Sequence, residues 1–371
     1  MDNLITHYRQ LHRFPEISGT ERKTPQYIAK ALGEKGYDPR SVGNAGILAD
    51  LVTDPKLPWL LFRADMDALA IQEKSCAPVQ SENPGVMHAC GHDAHCAMLL
   101  EAARLLRDEH LSHNIRFLFQ PAEETTKGAA EMVACGVIPD NLRACFAVHV
   151  WPGVAKGRVT TRPGTMMASS DVFKIRVSGR SAHCAQSHLG ADALRAAVKI
   201  VSLFPEIKAT AEDPNTILFC GSIHSGNSHN IVADVAQVSG TIRSYSPSDR
   251  KRIKSLLASA VSDATEATGT YGELLWDGGC PAIQNDSLII DRLKQIEPTL
   301  MDDAVPTMAA EDFACYQEYA PGAMLWLGLG DVPPLHNEAF YVPEEILYTG
   351  AELWRKIAVF DWSKELAHTG E

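Results

Sequence analysis

Trp59-Leu60-Leu61-Phe62-Arg63 runs straight into Ala64-Asp65-Met66-Asp67, an almost continuous apolar segment that ends in two acids. This nearly continuous apolar run reads as a strand. Its neighbours follow the same plan. Ile47 to Val52 alternates like a strand, Ile115 to Phe119 runs into Gln120-Pro121-Ala122-Glu123-Glu124, and Cys145 to Val148 ends at His149. Helical spacing marks Leu4 to Leu11, Thr24 to Gly36, Ala94 to Asp108 and Ala129 to Cys135, the last stopped by Gly136. The third of these has Ala94, Ala97, Met98, Ala102, Leu105 and Leu106 as its apolar face. Strands alternating with helices predict an α/β fold with a largely parallel, mixed sheet flanked by helices. Ligands of such sheets gather outside the carboxyl ends of the strands. Asp65, Asp67, Glu123, Glu124 and His149 are all expected there.

From about Ser169 the texture changes. Val172 to Val177 alternates strongly, Ala191 to Leu203 is helical, Thr216 to Ile223 and Ala236 to Ile242 read as strands, and Asp249 to Thr268 is a long helix. This βαββα-like block has the size of a small domain. The α/β texture returns after Gly279, with a helix at Ser287 to Ile296, a strand at Met324 to Gly328, a Pro-rich loop and then His336. The expected division is therefore one domain from residues 1–168 and 279–371, interrupted by an inserted α+β domain at 169–278. The strand Ala236 to Ile242 is expected to carry an edge in need of protection.

The densest chemistry lies in Met87-His88-Ala89-Cys90-Gly91-His92-Asp93-Ala94-His95-Cys96. Three imidazoles, two thiols and a carboxylate at this density suit zinc, manganese or another transition ion better than a polar loop entering a helix. Glu123 and Glu124 alone would pass for a solvated helix start, where acids are favoured. Beside a metal they can divide two tasks, one holding the ion and one moving a proton of the attacking water.

Composition narrows the function classes. The 371 residues exceed one typical core, so two domains are the prior. With 45% hydrophobic and 22% charged residues the chain is an ordinary globular protein. A formal net charge of −12 argues against a nucleic-acid partner, which needs a basic face. Met1 to Arg13 is polar and helical in pattern and does not read as a signal peptide. No apolar run approaches the ~20 residues that cross a bilayer, so no membrane partner is expected. Nine cysteines, odd in number and without a spacing framework, predict free thiols and a cytoplasmic location.

Four motifs then make the resemblance specific: Arg63-Ala64-Asp65-Met66-Asp67-Ala68-Leu69, His88-Ala89-Cys90-Gly91-His92-Asp93, Gln120-Pro121-Ala122-Glu123-Glu124, and His149. With them the chain resembles the metal-dependent amidohydrolase and metallopeptidase family of hippurate hydrolase, N-acyl-amino-acid deacylases and auxin-conjugate hydrolases, relatives of aminoacylase and carboxypeptidase G. The match extends from Leu11-His12-Arg13-Phe14-Pro15-Glu16 to Leu335-His336-Asn337-Glu338, nearly the whole chain. The resemblance implies a zinc-exopeptidase-like catalytic domain with an inserted lid or dimerisation domain. It also implies two divalent ions per chain, manganese or zinc. Cys90 would bridge them, with His92 and His149 on one ion and Glu124 and His336 on the other. Glu123 would be the general base, and Asp67 would orient the site. Asp65 stands where distant relatives carry a histidine ligand and is left out of the ligand set. By the same pattern His88 and His95 would be structural or would support the ligands without touching metal.

In the inserted block, His183 matches the lid histidine that helps hold the carbonyl oxygen in the transition state. Asn230 matches a substrate-contacting asparagine. Arg243 stands where a guanidinium could clamp a substrate carboxylate. The common Gly-Gly-His is Ser181-Ala182-His183 here, and Ala233 replaces a proline that commonly follows the Asn motif, so lid geometry and substrate preference depart from the pattern. The implied activity is hydrolysis of N-acyl-L-amino acids. A dipeptidase or carboxypeptidase-like activity at the same site is the alternative, and a non-catalytic metal- or ligand-binding protein is the rival from another class. A homodimer through the lid is the expected assembly.

Overall fold

The computed structural model describes residues 3–362. They form two compact units, one taking residues up to 166, 283–306 and from 311 onward, the other 167–282 and 307–310. The sequence reading puts 307–310 in the outer domain. They join the inserted one because Ala168 N donates to the carbonyls of Thr307 (3.1 Å) and Ala309 (3.0 Å).

The strands, in chain order, are β1 (Arg40–Val42), β2 (Gly46–Leu51), β3 (Trp59–Asp65), β4 (Asn114–Gln120), β5 (Leu142–Pro152), β6 (Val159–Thr160), β7 (Gly164–Met167), β8 (Ser169–Ser178), β9 (Ile217–Ser225), β10 (Val235–Ser244), β11 (Tyr271–Cys280), β12 (Ile283–Asn285) and β13 (Gly322–Gly330). The helices are α1 (Asn3–Arg13), α2 (Lys23–Gly33), α3 (His92–Leu106), α4 (Gly128–Ala134), α5 (Ala193–Ser202), α6 (Phe204–Lys208), α7 (Pro247–Glu266), α8 (Ser287–Ile296), α9 (Ala314–Gln317) and α10 (Ile346–Val359).

The first unit is built on a seven-stranded sheet in the order β1-β2-β4-β3-β5-β13-β6. Its centre is parallel, β3 against β4 and β5, and β13 against β5. β1, β2 and β6 make antiparallel pairs at its margins. The sheet is thus mixed, as expected, with its parallel pairs confined to the centre. Helix α3 is buried beyond its predicted apolar stripe, with every residue from His92 to Leu100 inside. It packs against α1, α2, α10 and β3, so polar residues of its first turn are inside as well. α10, absent from the sequence reading, covers the sheet with Trp354, whose ring lies 4.7 Å from that of Phe62.

β5 runs past His149 to Pro152, so this histidine lies within the strand and not at its end. The extension follows from β13, which pairs Trp326 with His149, Leu327 with Val150 and Gly328 with Trp151. Trp151 and Trp326 stack there at 3.9 Å.

The second unit is an antiparallel sheet in the order β11-β8-β10-β9, packed on α5 and α7. Phe173, Ile175, Val177, Ala197, Ile200, Val238, Ile253 and Leu257 form its core. Two expectations need correction. β11 was not anticipated, because Gly272, Gly278 and Gly279 break the strand pattern that its pairing with β8 restores. β10 is not an edge, since β8 and β9 pair with its two sides. The open edges belong to β9 and β11.

Within β10 the register with β9 shifts between Ser239 and Gly240. A Cβ on Gly240 would lie 2.1 Å from the Phe219 carbonyl oxygen and 2.4 Å from the Phe173 ring. Gly240→Val should therefore lower the stability of this unit by ~1–3 kcal/mol, the usual cost of overpacking. Urea unfolding checks it, and an unchanged midpoint would show that the ring and strand yield freely.

Candidate metal and catalytic site

β3 brings Asp65 in as its last residue and Asp67 two residues later, while β4 leads through Pro121 to Glu123 and Glu124. Asp67 links these segments to α3. One of its oxygens lies 3.1 Å from His92 Nδ1, and the other accepts the Glu124 N–H at 3.0 Å. A carboxylate on Nδ1 places the proton there and leaves Nε2 as a lone pair, the arrangement that orients a metal-binding imidazole. His149 reaches the same state differently, donating Nδ1–H to the Val150 carbonyl at 2.7 Å and turning Nε2 to within 3.5 Å of Cys90 Sγ.

Two overlapping trios result. Ligand atoms of Cys90, His92 and His149 lie within 4.8 Å of one another, and so do those of Cys90, Glu124 and His336. Cys90 belongs to both. His336 Nε2 is 3.4 Å from Glu124 Oε1, and its backbone is held at φ +64° with its N–H on the Ala89 carbonyl at 2.8 Å. A non-glycine residue in that region costs on the order of 1–3 kcal/mol and is retained where the surroundings enforce it.

The donor set fits a cation. His92 Nε2 and Glu124 Oε1 are buried, 3.9 Å apart, and without a hydrogen-bond partner. Burial, then Glu124, Glu123 and Asp65, push the Cys90 thiol well above its ordinary pKa, and added positive charge would favour its thiolate. At His92 burial opposes charge, but Asp65, Asp67 and Glu124 outweigh it and raise the imidazole to about 10. The lone pair that takes a proton in that acidic field is the one a metal ion would compete for.

His95 lies beside this group, and Asp65, His92 and His95 form a further trio. Both of its ring nitrogens are occupied, Nδ1 by Asp65 at 2.6 Å and Nε2 by the Val150 N–H at 2.9 Å, so it has no lone pair to offer. His88 is buried with neither ring nitrogen partnered, and burial lowers it to about 4. It belongs to none of the trios among the described residues.

Glu123 is buried, with an oxygen within 4.8 Å of ligand atoms of His92 and Glu124. Burial, followed by Glu311, Glu124 and Asp312, pushes it well above the usual carboxylate range. This is the direction that suits a carboxylate to accept a proton near neutrality.

Residues 61–359 match the family described as Peptidase family M20/M25/M40. The chain belongs to that family. An N-acetyl-L-cysteine deacetylase of Bacillus subtilis is 35% identical over 350 residues, covering 92% of this chain and 84% of that protein. An IAA-amino acid hydrolase of Arabidopsis thaliana is 31% identical over 370 residues, covering 94% and 83%. A solved Bacillus subtilis structure, described as a dinuclear metal binding peptidase from the M20 family, superposes with a TM-score of 0.81 at 30% identity, covering 96% of each chain. The M20 chain is accordingly a hydrolase of amide bonds.

In the second unit, His183 is exposed and stands before a 3₁₀ turn, Cys184–Leu189, accepting the Ala185 N–H on Nδ1 at 3.2 Å. Its neighbour Cys184 donates its N–H to the Asn230 carbonyl at 2.9 Å, which brings the His183 and Asn230 segments together. Arg243, near the end of β10, donates to the Met308 carbonyl at 3.0 Å.

Several residues of this M20 site have no role in the sequence reading. Arg63, buried, pairs with Asp65 (2.6 Å), Asp312 (2.8 Å) and Glu311 (2.9 Å). Glu311-Asp312 could be noticed as an acidic pair, but nothing local announces its partners 249 residues away. His12 sits between Asp93 (2.6 Å) and Glu73 (3.0 Å), all three buried. Asp93 adjoins His92, and the Lys74 N–H beside Glu73 holds the Glu338 carbonyl at 2.7 Å, two residues from His336.

Burial disfavours a charged His12, yet the bonds to Asp93 and Glu73 prevail and raise it to about 10. A histidine raised on folding contributes stability that is complete below its unfolded value of 6.5 and is lost as pH rises through about 10. Stability should therefore decline between those limits, and His12→Gln should flatten the decline. Denaturant unfolding at several pH values tests this, and an unaltered slope in the variant would remove His12 as its source.

Proposed function

We propose that the chain is a metal-dependent amidohydrolase that cleaves N-acyl-L-amino acids to a carboxylate and the free amino acid. The observation that carries this reading is a buried Glu123 of raised proton affinity beside two S/N/O donor trios that share Cys90. Binding alone needs no such base, which weighs against a silent metal- or ligand-binding protein. Cys90, His92 and His149 would hold one divalent ion and Cys90, Glu124 and His336 a second, manganese or zinc. Such ions acidify water and polarise an amide carbonyl. Glu123 takes a proton from the attacking water and delivers it to the amide nitrogen, which leaves as the amine while the acyl carbon becomes a carboxylate. Asp67 keeps His92 in the productive tautomer and fixes the Glu124 backbone.

His183 and Arg243 complete the proposal. Acceptance at Nδ1 places the His183 proton on Nε2, a donor suited to a carbonyl oxygen in the transition state. Arg243 would clamp the substrate α-carboxylate, and Asn230 would contact the substrate. A carboxylate clamp serves an N-acyl amino acid and a dipeptide alike, so dipeptidase or carboxypeptidase-like cleavage is the second reading. The names of the deacetylase and the IAA-amino acid hydrolase favour the first. A homodimer through the second unit is supported by the open β9 edge, where Phe219 and Ile223 are exposed. A monomer in analytical ultracentrifugation would remove that part. Exposed thiols at Cys76, Cys135 and Cys184 support a reducing cytoplasm. No described helix is long and apolar enough to cross a membrane.

Metal analysis coupled to turnover of N-acyl amino acids, their amides and dipeptides tests the reading. Acids should be cleaved faster than their amides, with the difference shrinking in Arg243→Ala. Dipeptides turned over best would favour the second reading, and no turnover by metal-loaded protein would refute both.

Two substitutions separate the roles. Cys90→Ser should lose most bound metal, and full occupancy with full activity would end the bridging assignment. Glu123→Gln should keep metal while kcat falls by ~10² or more. An unchanged kcat would remove Glu123 as the base.

A further inference from the structure

Glu123 and Glu124 lie in a turn bracketed by two non-glycine residues in the left-handed region, Ala122 at φ +57° and Thr126 at φ +54°. Neither alanine nor threonine favours that region, which costs an L-residue roughly 1–2 kcal/mol. Something outside the turn must therefore hold it. Pro121 has no N–H to contribute. The Glu124 N–H is taken by Asp67, and the Thr126 N–H closes on the Glu123 carbonyl at 2.6 Å. The far end is pinned by the Gly128 N–H on the Ala122 carbonyl at 3.2 Å. A Cβ on Gly128 would fall 1.8 Å from the Pro121 carbonyl oxygen, so the two ends of the turn are in close contact.

Thr125 Oγ1 adds a bond to the Ala122 carbonyl at 3.0 Å from within the turn, and the tie from outside comes from the segment that follows Leu11–Glu16. Glu21, 5% exposed, accepts the Ala122 N–H on Oε1 at 2.9 Å and the Gly19 N–H at 3.0 Å. Its own position is fixed from two directions. The Glu16 carboxylate caps α2 through the N–H groups of Arg22 (2.9 Å), Lys23 (2.8 Å) and Thr24 (2.9 Å). The same segment is stitched beside Asp67, with Ser18 N on the Ala68 carbonyl at 3.0 Å and Ala68 N on the Glu16 carbonyl at 2.9 Å. One short stretch of chain thus spans from the Asp67 segment to the residue before Glu123.

We propose that Glu21 is a positioning residue of the active site, whose buried carboxylate holds Ala122 left-handed and thereby sets the placement of Glu123 and Glu124. The inference rests on the proposed role of Glu123 as base, and it needs only the acceptor oxygen of Glu21, not its charge.

Glu21→Gln keeps that oxygen and Glu21→Ala removes it. With an N-acetyl amino acid as substrate, Glu21→Gln should stay within about threefold of the parent. Glu21→Ala should lose ~10-fold or more in kcat with little change in KM, as expected when a reacting group is misplaced and substrate binding is not. Amide hydrogen exchange over residues 122–126 should rise in Glu21→Ala and not in Glu21→Gln. Equal kcat losses in both variants, or a full kcat in Glu21→Ala, would overturn the proposal. Exchange is read without substrate, so a failure of the hydrolase reading leaves this half of the test standing. Unaltered exchange in Glu21→Ala would itself refute the tie.

Discussion

The first unit depends on a concentration of buried negative charge. Asp65, Asp67, Glu123, Glu311 and Asp312 are buried together, with Glu124 beside them. Burying ionised carboxylates without compensation costs several kcal/mol each. Arg63 meets Asp65, Glu311 and Asp312 and accounts for part of the balance. The rest falls to protons and to whatever cation the donor trios receive. Burial and neighbouring acids hold Glu123 and Asp312 above the ordinary carboxylate range, Asp312 to about 7. An excess of this kind favours a bound cation, so one electrostatic constraint underlies the donor groups, the raised proton affinity of Glu123 and the pairing of Arg63.

Satisfying that constraint needs unusual backbone. His336 and Ala122 both hold left-handed conformations, each with its N–H on a specific oxygen, Ala89 O for the first and Glu21 Oε1 for the second. The sheet and α3 provide rigid elements from which these departures can be enforced. His12 acts at the same level. Its two carboxylate partners fasten the start of α3 to the loop that in turn holds the His336 segment.

In the second unit the sequence pattern is clearer in the strands than in their neighbours. β8 alternates strongly and was readable, whereas β11 carries glycines whose strand conformation follows from pairing with β8. The same pairing logic moved the free edges to β9 and β11, away from β10. Edge and centre are properties of an assembled sheet, and single strands do not encode them.

The sequence by itself determined the run that became β3, the acids at its end and the order of the His, Cys and Glu residues. These are local or periodic signals, and hydrophobic pattern and residue chemistry express them directly. Tertiary structure alone decided which atoms face one another. His95 and His92 are three residues apart on one helix. The Val150 N–H and Asp65 occupy both nitrogens of His95, while Asp67 leaves one nitrogen of His92 open. Glu311 and Asp312 meet Arg63, and Glu21 meets Ala122, across long stretches of chain. The reason is physical: the tautomer of a histidine and the charge of a carboxylate are set by partners that only folding brings within hydrogen-bond distance.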